Sequence, residues 1–239
     1  MKVIGLIGGM SWESSLLYYR EINEQVKRTL GGLHSAKCIL YSVDFHEIEE
    51  RQRLGLWDQL DNMMIDAAKS LEHAGADFLI LCTKTMHKSA PAIEAAVKIP
   101  LLHIADPTAL ALKKKGINKV GLLGTRFTMI EDFYKQRLTE KFGLEVLIPD
   151  ETEINEVHRI IYEELVKGIV KPESRAIYQE IISNLAERGA QGVILGCTEI
   201  TLLIKLNDVH LPVFDTTSLH AQHAVAISLE QKLTASITA

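Results

Sequence analysis

The 239-residue sequence is short of cysteine, and it contains no long uninterrupted apolar run. Each shortage excludes something. Three cysteines, Cys38, Cys82 and Cys197, form an odd and sparse set for a chain of this length, which argues against a disulfide framework. No two of them have zinc-finger spacing and the histidines form no HxxxH or HxH cluster, so no metal site is expected. No stretch approaches the roughly 18 apolar residues of a membrane span. The opening apolar run breaks at Gly8-Gly9 and soon meets Glu13, unlike the longer run and small-residue cleavage site of a signal peptide. A soluble, cytoplasmic protein with no membrane partner is expected. Basic blocks are missing too. The formal net charge is -5, and Lys113-Lys114-Lys115, just before Gly116, reads as the last turn of a helix, where cations suit the dipole. Nucleic acid is not expected as a partner.

What the chain does have is apolar residues, 47% of the total, enough for a real core in one large domain or two small ones. Short β-rich runs alternate with amphipathic segments. Strands are read at Val3–Ile7, Ile39–Val43, Phe78–Cys82, Leu101–Ile104, Val120–Leu123, Val146–Ile148, Val193–Leu195 and Val213–Phe214. Helical patterns run from about Trp12 to Lys27 and over Leu60–Ala74, the latter with Leu60, Met63, Met64, Ala67 and Leu71 on one face. Continuous Val/Ile/Leu strands that alternate with helices imply parallel sheets covered on both faces.

The alternation repeats. Lys2-Val3-Ile4-Gly5-Leu6-Ile7-Gly8 resembles Lys119-Val120-Gly121-Leu122-Leu123-Gly124. The stretch from Gly75 to Thr83 resembles that from Gly189 to Thr198, and Ile99-Pro100-Leu101-Leu102 resembles Leu211-Pro212-Val213-Phe214. All three matches share an offset of roughly 115 residues, in the same order. The sequence therefore predicts an α/β protein of two pseudo-symmetric, doubly wound parallel-sheet domains. Residues 1–104 with 215–239 form the first and residues 105–214 the second. Ligands of open α/β sheets bind beyond the C-terminal strand ends, so the two halves are expected to face each other across an active-site cleft.

Two segments at such strand ends carry the chemistry: Thr83-Lys84-Thr85-Met86-His87 and Gly196-Cys197-Thr198-Glu199. Backbone amides in such turns can hold a carboxylate, and Thr85 and Thr198 add hydroxyl donors. Cys197 is the candidate acid/base group, since a helix N-terminus can lower a thiol pKa into the physiological range, although a buried structural cysteine fits the placement equally well. Cys38 reads as core, and Cys82 is expected to point to the opposite face from Thr83. A dinucleotide site is disfavoured, because Gly5-Leu6-Ile7-Gly8-Gly9 is not GxGxxG and Asp44 lies too far beyond the second strand.

From its opening Gly-Leu-Ile-Gly-Gly-Met-Ser-Trp-Glu-Ser through Gly-Cys-Thr-Glu to Pro-Val-Phe-Asp-Thr, the chain resembles the aspartate/glutamate racemases. The resemblance implies two residues flanking the substrate Cα from opposite faces, with neither pyridoxal phosphate nor metal. Cys197 would be one of them and Thr83 would occupy the position of the other. The first motif commonly reads Cys-Asn-Thr in that family. Thr83 matches a branch specific for acidic amino acids, and Lys84 replaces a planar amide with a cation that can pair with the α-carboxylate or fill the pocket.

The resemblance also implies substrate contacts for Met10, Gln52, Thr125 and Lys167. Lys167 would bind the distal carboxylate, unless it is a surface lysine ending a helix before Gly168. Arg51 and Arg53 read as solvated, and His87 as structural or as orienting the first turn. The implied function is cofactor-independent racemisation of aspartate or glutamate by a homodimer. The alternatives are a sister reaction that uses one cysteine, as in maleate isomerases, hydantoin racemases or arylmalonate decarboxylases, and a catalytically weakened binder of acidic amino acids.

Overall fold

The computed structural model describes residues 1–230, which form two compact units. The first runs from Met1 to Ile104 and resumes at His220; the second is Ala105–Leu219. In the first unit, strands β1 (Ile4–Gly8), β2 (Cys38–Ser42), β3 (Phe78–Leu81) and β4 (Leu101–Leu102) make one parallel sheet in the order β2-β1-β3-β4. In the second, β5 (Lys119–Leu123), β6 (Glu145–Leu147), β7 (Val193–Leu195) and β8 (Val213–Asp215) repeat that order as β6-β5-β7-β8. The internal repeat read from the sequence is thus a repeat of topology.

Strand alternation explains how the first sheet is covered. Ile7, Leu79 and Leu81 pack on one face with Leu60, Met64, Ala67 and Leu71 of the helix Trp57–His73. Ile4, Leu6, Phe78, Ile80 and Cys82 pack on the other. There they meet Tyr18, Ile22 and Val26 of the helix Trp12–Leu30, and Ala221, Ala224 and Val225 of the helix Thr216–Ser228. Tyr18, Ile22 and Val26 recur every four residues, which keeps them on one side of their helix. At the sheet edge, β2 packs Cys38 toward one face and Ile39 toward the other, while Leu40, Tyr41 and Ser42 are exposed.

The second sheet is built alike. Leu123, Val193 and Leu195 pack with Ile154, Val157, Ile160 and Ile161 of the helix Glu151–Glu163, and with Tyr178, Ile181, Ile182 and Leu185 of the helix Pro172–Glu187. Asp150 and Glu153 cap the first of these helices reciprocally, each side chain accepting from the other's backbone N–H. The chain returns to the first unit inside its last helix, at His220, and not directly after β8. Residues 215–219 stay with the second unit because Asp215 belongs to β8 and the Thr216 hydroxyl donates to the Leu195 carbonyl at 3.2 Å.

Candidate functional site

In the first unit the candidate residues gather at the C-terminal ends of β1 and β3. The chain leaves β1 through Gly9, whose φ of 92° lies in the range that glycine tolerates best. Its backbone is held at both ends of the turn: Gly9 N–H donates to Ser15 Oγ at 2.8 Å, and Ser15 Oγ donates to the Ser11 carbonyl at 3.0 Å. Ser11 caps the helix Trp12–Leu30, and Ser14 Oγ donates to the Cys82 carbonyl at 2.9 Å, which ties this turn to the end of β3. Met10 is 5% exposed and shares a buried cluster with Met86. Gln52 sits near the end of the helix Phe45–Leu54, and its amide reaches Met86 Sδ at 3.2 Å.

Thr83 and Thr85 are half-buried, whereas Lys84 is buried. Thr85 opens a short 3₁₀ helix, Thr85–Ser89, that leads into the helix Ala90–Ala96. Met10 and Gln52 thus share Met86 as a neighbour, one residue beyond Thr85. Cys82 is fully buried against the opposite face, and burial pushes its thiol pKa up, beyond any acid/base use near neutrality. Of the two neighbouring arginines, Arg51 bonds to its own helix through the Glu47 carbonyl and Arg53 is exposed, as a solvated face requires.

In the second unit Cys197 follows β7, half-buried. Gly196 brings the chain so close to β5 that its N–H donates to the Leu123 carbonyl at 2.5 Å, and a Cβ there would lie 2.5 Å from the same oxygen. The helix that follows, Ile200–Leu203, is one turn long. Only one turn of aligned peptide dipoles therefore stands beside the thiol. The partner is instead a carboxylate. Cys197 Sγ donates to Glu199 Oε2 at 2.8 Å, and Thr198 Oγ1 donates to the same oxygen at 2.8 Å.

Glu199 belongs to the same strand-end motif as the thiol, and sequence reasoning missed its part. Its signal was the spacing itself, since a residue two positions on can fold back over a thiol in a tight turn. Chemically the pair can pass one proton from sulfur to carboxylate, leaving a thiolate beside a carboxylic acid.

Thr125 lies at the end of β5 and corresponds to Ser11 in its role. Its side chain caps the short helix Arg126–Ile130, accepting from Thr128 N–H. Lys167 closes the single turn Leu165–Lys167 and is exposed, with Gly168 at φ 71° behind it. Glu164 secures that segment. It is 2% exposed, binds Ser174 Oγ at 2.6 Å and pairs with Arg159 and Lys171, while its carbonyl accepts from Lys167 N–H and Ile169 N–H.

His87 is not the lone histidine that the sequence suggested. His103 and His220 lie against it, buried, with ring centroids 4.5 and 6.0 Å away. Sequence spacing hides this group, because folding brings its members from three separate segments. Burial first, then the two neighbouring imidazoles, hold His87 well below the usual imidazole range. The unfolded chain takes up this proton near pH 6.5 while the folded chain does not. The contribution of this imidazole to stability is therefore constant above about pH 7 and declines below about pH 6.5, by up to about 1.4 kcal/mol per pH unit, until the folded-state value is passed. Urea unfolding from pH 8 to 5 should show a shallower acid decline in His87→Gln; equal slopes in the two proteins would contradict the assignment.

Among the described residues no helix is long and apolar enough to cross a membrane. The family model for Asp/Glu/hydantoin racemases matches residues 7–224. A crystal structure of a candidate Asp/Glu racemase from Yersinia pestis is 58% identical, with a TM-score of 0.93 over 96% of this chain and 100% of that one. An aspartate racemase homologue from Pyrococcus horikoshii OT3 is 37% identical, with a TM-score of 0.85 over 96% and 100% of the two chains. The broad-specificity amino-acid racemase RacX of Bacillus subtilis (strain 168) is 25% identical over 236 residues, which are 95% of this chain and 98% of RacX.

Proposed function

Because the chain belongs to the Asp/Glu/hydantoin racemase family, we propose that it racemises an acidic amino acid, aspartate or glutamate, by moving a proton at Cα without a cofactor. The observation that carries this reading is the Cys197 thiol held 2.8 Å from the Glu199 carboxylate at the end of β7. Glu199 takes the thiol proton, and the thiolate then abstracts the α-proton. The electron pair left by the broken Cα–H bond delocalises into the substrate carboxylate. The Thr83 hydroxyl delivers a proton to the other face, and solvent restores the starting protonation. Hydrogen bonds that strengthen as charge enters the carboxylate lower the barrier, and Lys84, Thr85 and Thr198 are the side chains assigned to it. Met10, Gln52 and Thr125 shape the substrate's surroundings, and Lys167 meets the distal carboxylate.

The preference for acidic substrates rests on the two lysines and on Thr83. The Bacillus subtilis relative favours a second reading, a broader amino-acid range. Proton NMR of single enantiomers in deuterated buffer, followed by chiral chromatography, distinguishes the two. Loss of the Cα–H signal with appearance of the antipode is expected for aspartate or glutamate at least tenfold faster than for alanine or lysine, since a missing charge partner is worth about 1.4 kcal/mol or more. Equal rates across the panel would support the broad range. Exchange without inversion would indicate a single working acid/base group, and no exchange with any substrate would remove the racemase reading.

A further inference from the structure

Behind the Thr83 turn the first unit buries an imidazole whose two nitrogens have fixed and different duties. The Ile104 backbone N–H donates to His87 Nε2 at 3.1 Å. Nε2 is therefore the acceptor nitrogen, and the ring proton sits on Nδ1, which donates to the Thr83 carbonyl at 2.8 Å. A second imidazole braces the first. His220 Nε2 faces the Leu102 carbonyl at 2.9 Å and must donate to it, which leaves Nδ1 to accept from the Tyr18 hydroxyl at 2.8 Å. Thr83 at the end of β3 is thus linked through His87 to the chain just beyond β4, and β4 is linked through His220 to the helix Trp12–Leu30.

Both nitrogens of His87 and both of His220 are engaged in hydrogen bonds, so the cluster is an anchor and not a ligand set. Its consequence for Thr83 follows from peptide geometry. In a planar trans peptide the carbonyl and the next N–H point in opposite directions. Drawing the Thr83 carbonyl inward to His87 therefore turns the next N–H of that peptide away from the imidazole. It also fixes the backbone from which the Thr83 hydroxyl projects.

We propose that His87 is a positioning residue. It fixes the Thr83 backbone so that the Thr83 hydroxyl is presented to the substrate in one orientation, with His220 and Tyr18 bracing the segment against which it rests. This inference rests on the assignment of Thr83 to one face of Cα, and it predicts an effect confined to that face.

The test compares His87→Ala, His87→Asn, His87→Gln and Thr83→Ala by solvent deuterium exchange into each enantiomer of the preferred substrate. Asparagine places an amide donor near the Nδ1 position, whereas glutamine places its amide nearer Nε2. His87→Ala and His87→Gln should lose about 10- to 100-fold of exchange on the Thr83 face while the Cys197 face stays within about threefold, the range expected for a sub-ångström misplacement. His87→Asn should recover about tenfold of that loss. Equal losses on both faces, or no loss on either, would overturn the proposal.

Thr83→Ala separates the two layers. If it leaves both faces exchanging, Thr83 is not the second acid/base group. If it silences one face and the His87 variants do not, only the positioning role fails. A second readout needs no turnover. The ¹³C shift of the Thr83 carbonyl should move in His87→Ala and His87→Gln and be restored in His87→Asn, and an unmoved resonance would overturn the anchor on its own.

Discussion

Cys197→Ala is expected to lower racemisation by about 10²- to 10⁴-fold, the span that a positioned acid/base group contributes. The reason lies in the local structure. The sulfur is half-buried at the end of β7 and directed at Glu199, so its removal deletes the acceptor for the α-proton and leaves a carboxylate with no proton to take. Cys197→Ser should fail nearly as badly. A serine hydroxyl keeps the hydrogen bond to Glu199 but is far less acidic than a thiol, so little alkoxide forms.

Folding should survive both changes. The side chain is small and only partly buried against the second unit's core, so a stability change of about 1 kcal/mol or less is expected. Glu199→Gln gives the complementary result. It conserves shape and removes the proton acceptor, and exchange on the Cys197 face should fall by about 10- to 100-fold and recover as pH approaches the thiol's own pKa. Retention of more than a tenth of the wild-type rate by well-folded Cys197→Ala would exclude the thiol as the base.

Gly9→Ala is expected to produce the largest loss of stability from a single methyl group, about 3 kcal/mol or more, from overpacking and backbone strain together. Two effects coincide at this position. The φ of 92° is unfavourable for any residue with a Cβ, and that Cβ would collide with the Val43 carbonyl oxygen and lie 2.6 Å from its nitrogen. Both are backbone atoms of the chain leaving β2, so no side chain can rotate away to make room.

Gly75→Ala separates the two contributions. Gly75 has the same φ of 92° but nothing within 4 Å of the added carbon, so only the conformational part, about 1 kcal/mol, should appear. Thermal unfolding would read the difference as roughly 4–8 °C more for Gly9→Ala, given about 2–4 °C per kcal/mol in a chain of this size. Equal shifts in the two variants would mean that the turn yields where Val43 meets it. Gly9→Ala should also depress activity in the fraction that folds, because Met10 and Ser11 are carried by the same turn.

The strands were legible because buried parallel strands demand continuous apolar runs, and each run read from the sequence overlaps an observed strand. Even the repeat could be read, since two halves with the same topology need the same glycine exits at Gly8-Gly9 and Gly124 and the same apolar third strands. Exposure was less legible. Nothing along the chain marks β2 as an edge strand with Tyr41 in solvent, because edge position depends on which strands pair. Met10 likewise reads as a turn residue until the fold buries it beside Met86.

By itself, the sequence determined the α/β alternation, the two-fold repeat and the two strand-end motifs that contain Thr83 and Cys197. These are local properties, set by hydrophobic runs, glycine turns and residues adjacent in the chain. Glu199 meets the thiol through the local turn after β7, and only the tertiary structure decided which distant groups act on these motifs. His87 holds Thr83 only because β3, β4 and the last helix bring residues 87, 103 and 220 together in a dry interior. Burial keeps His87 neutral, and His87 and His220 each commit both ring nitrogens to fixed partners. No pattern along the chain encodes that choice, which burial and long-range pairing impose.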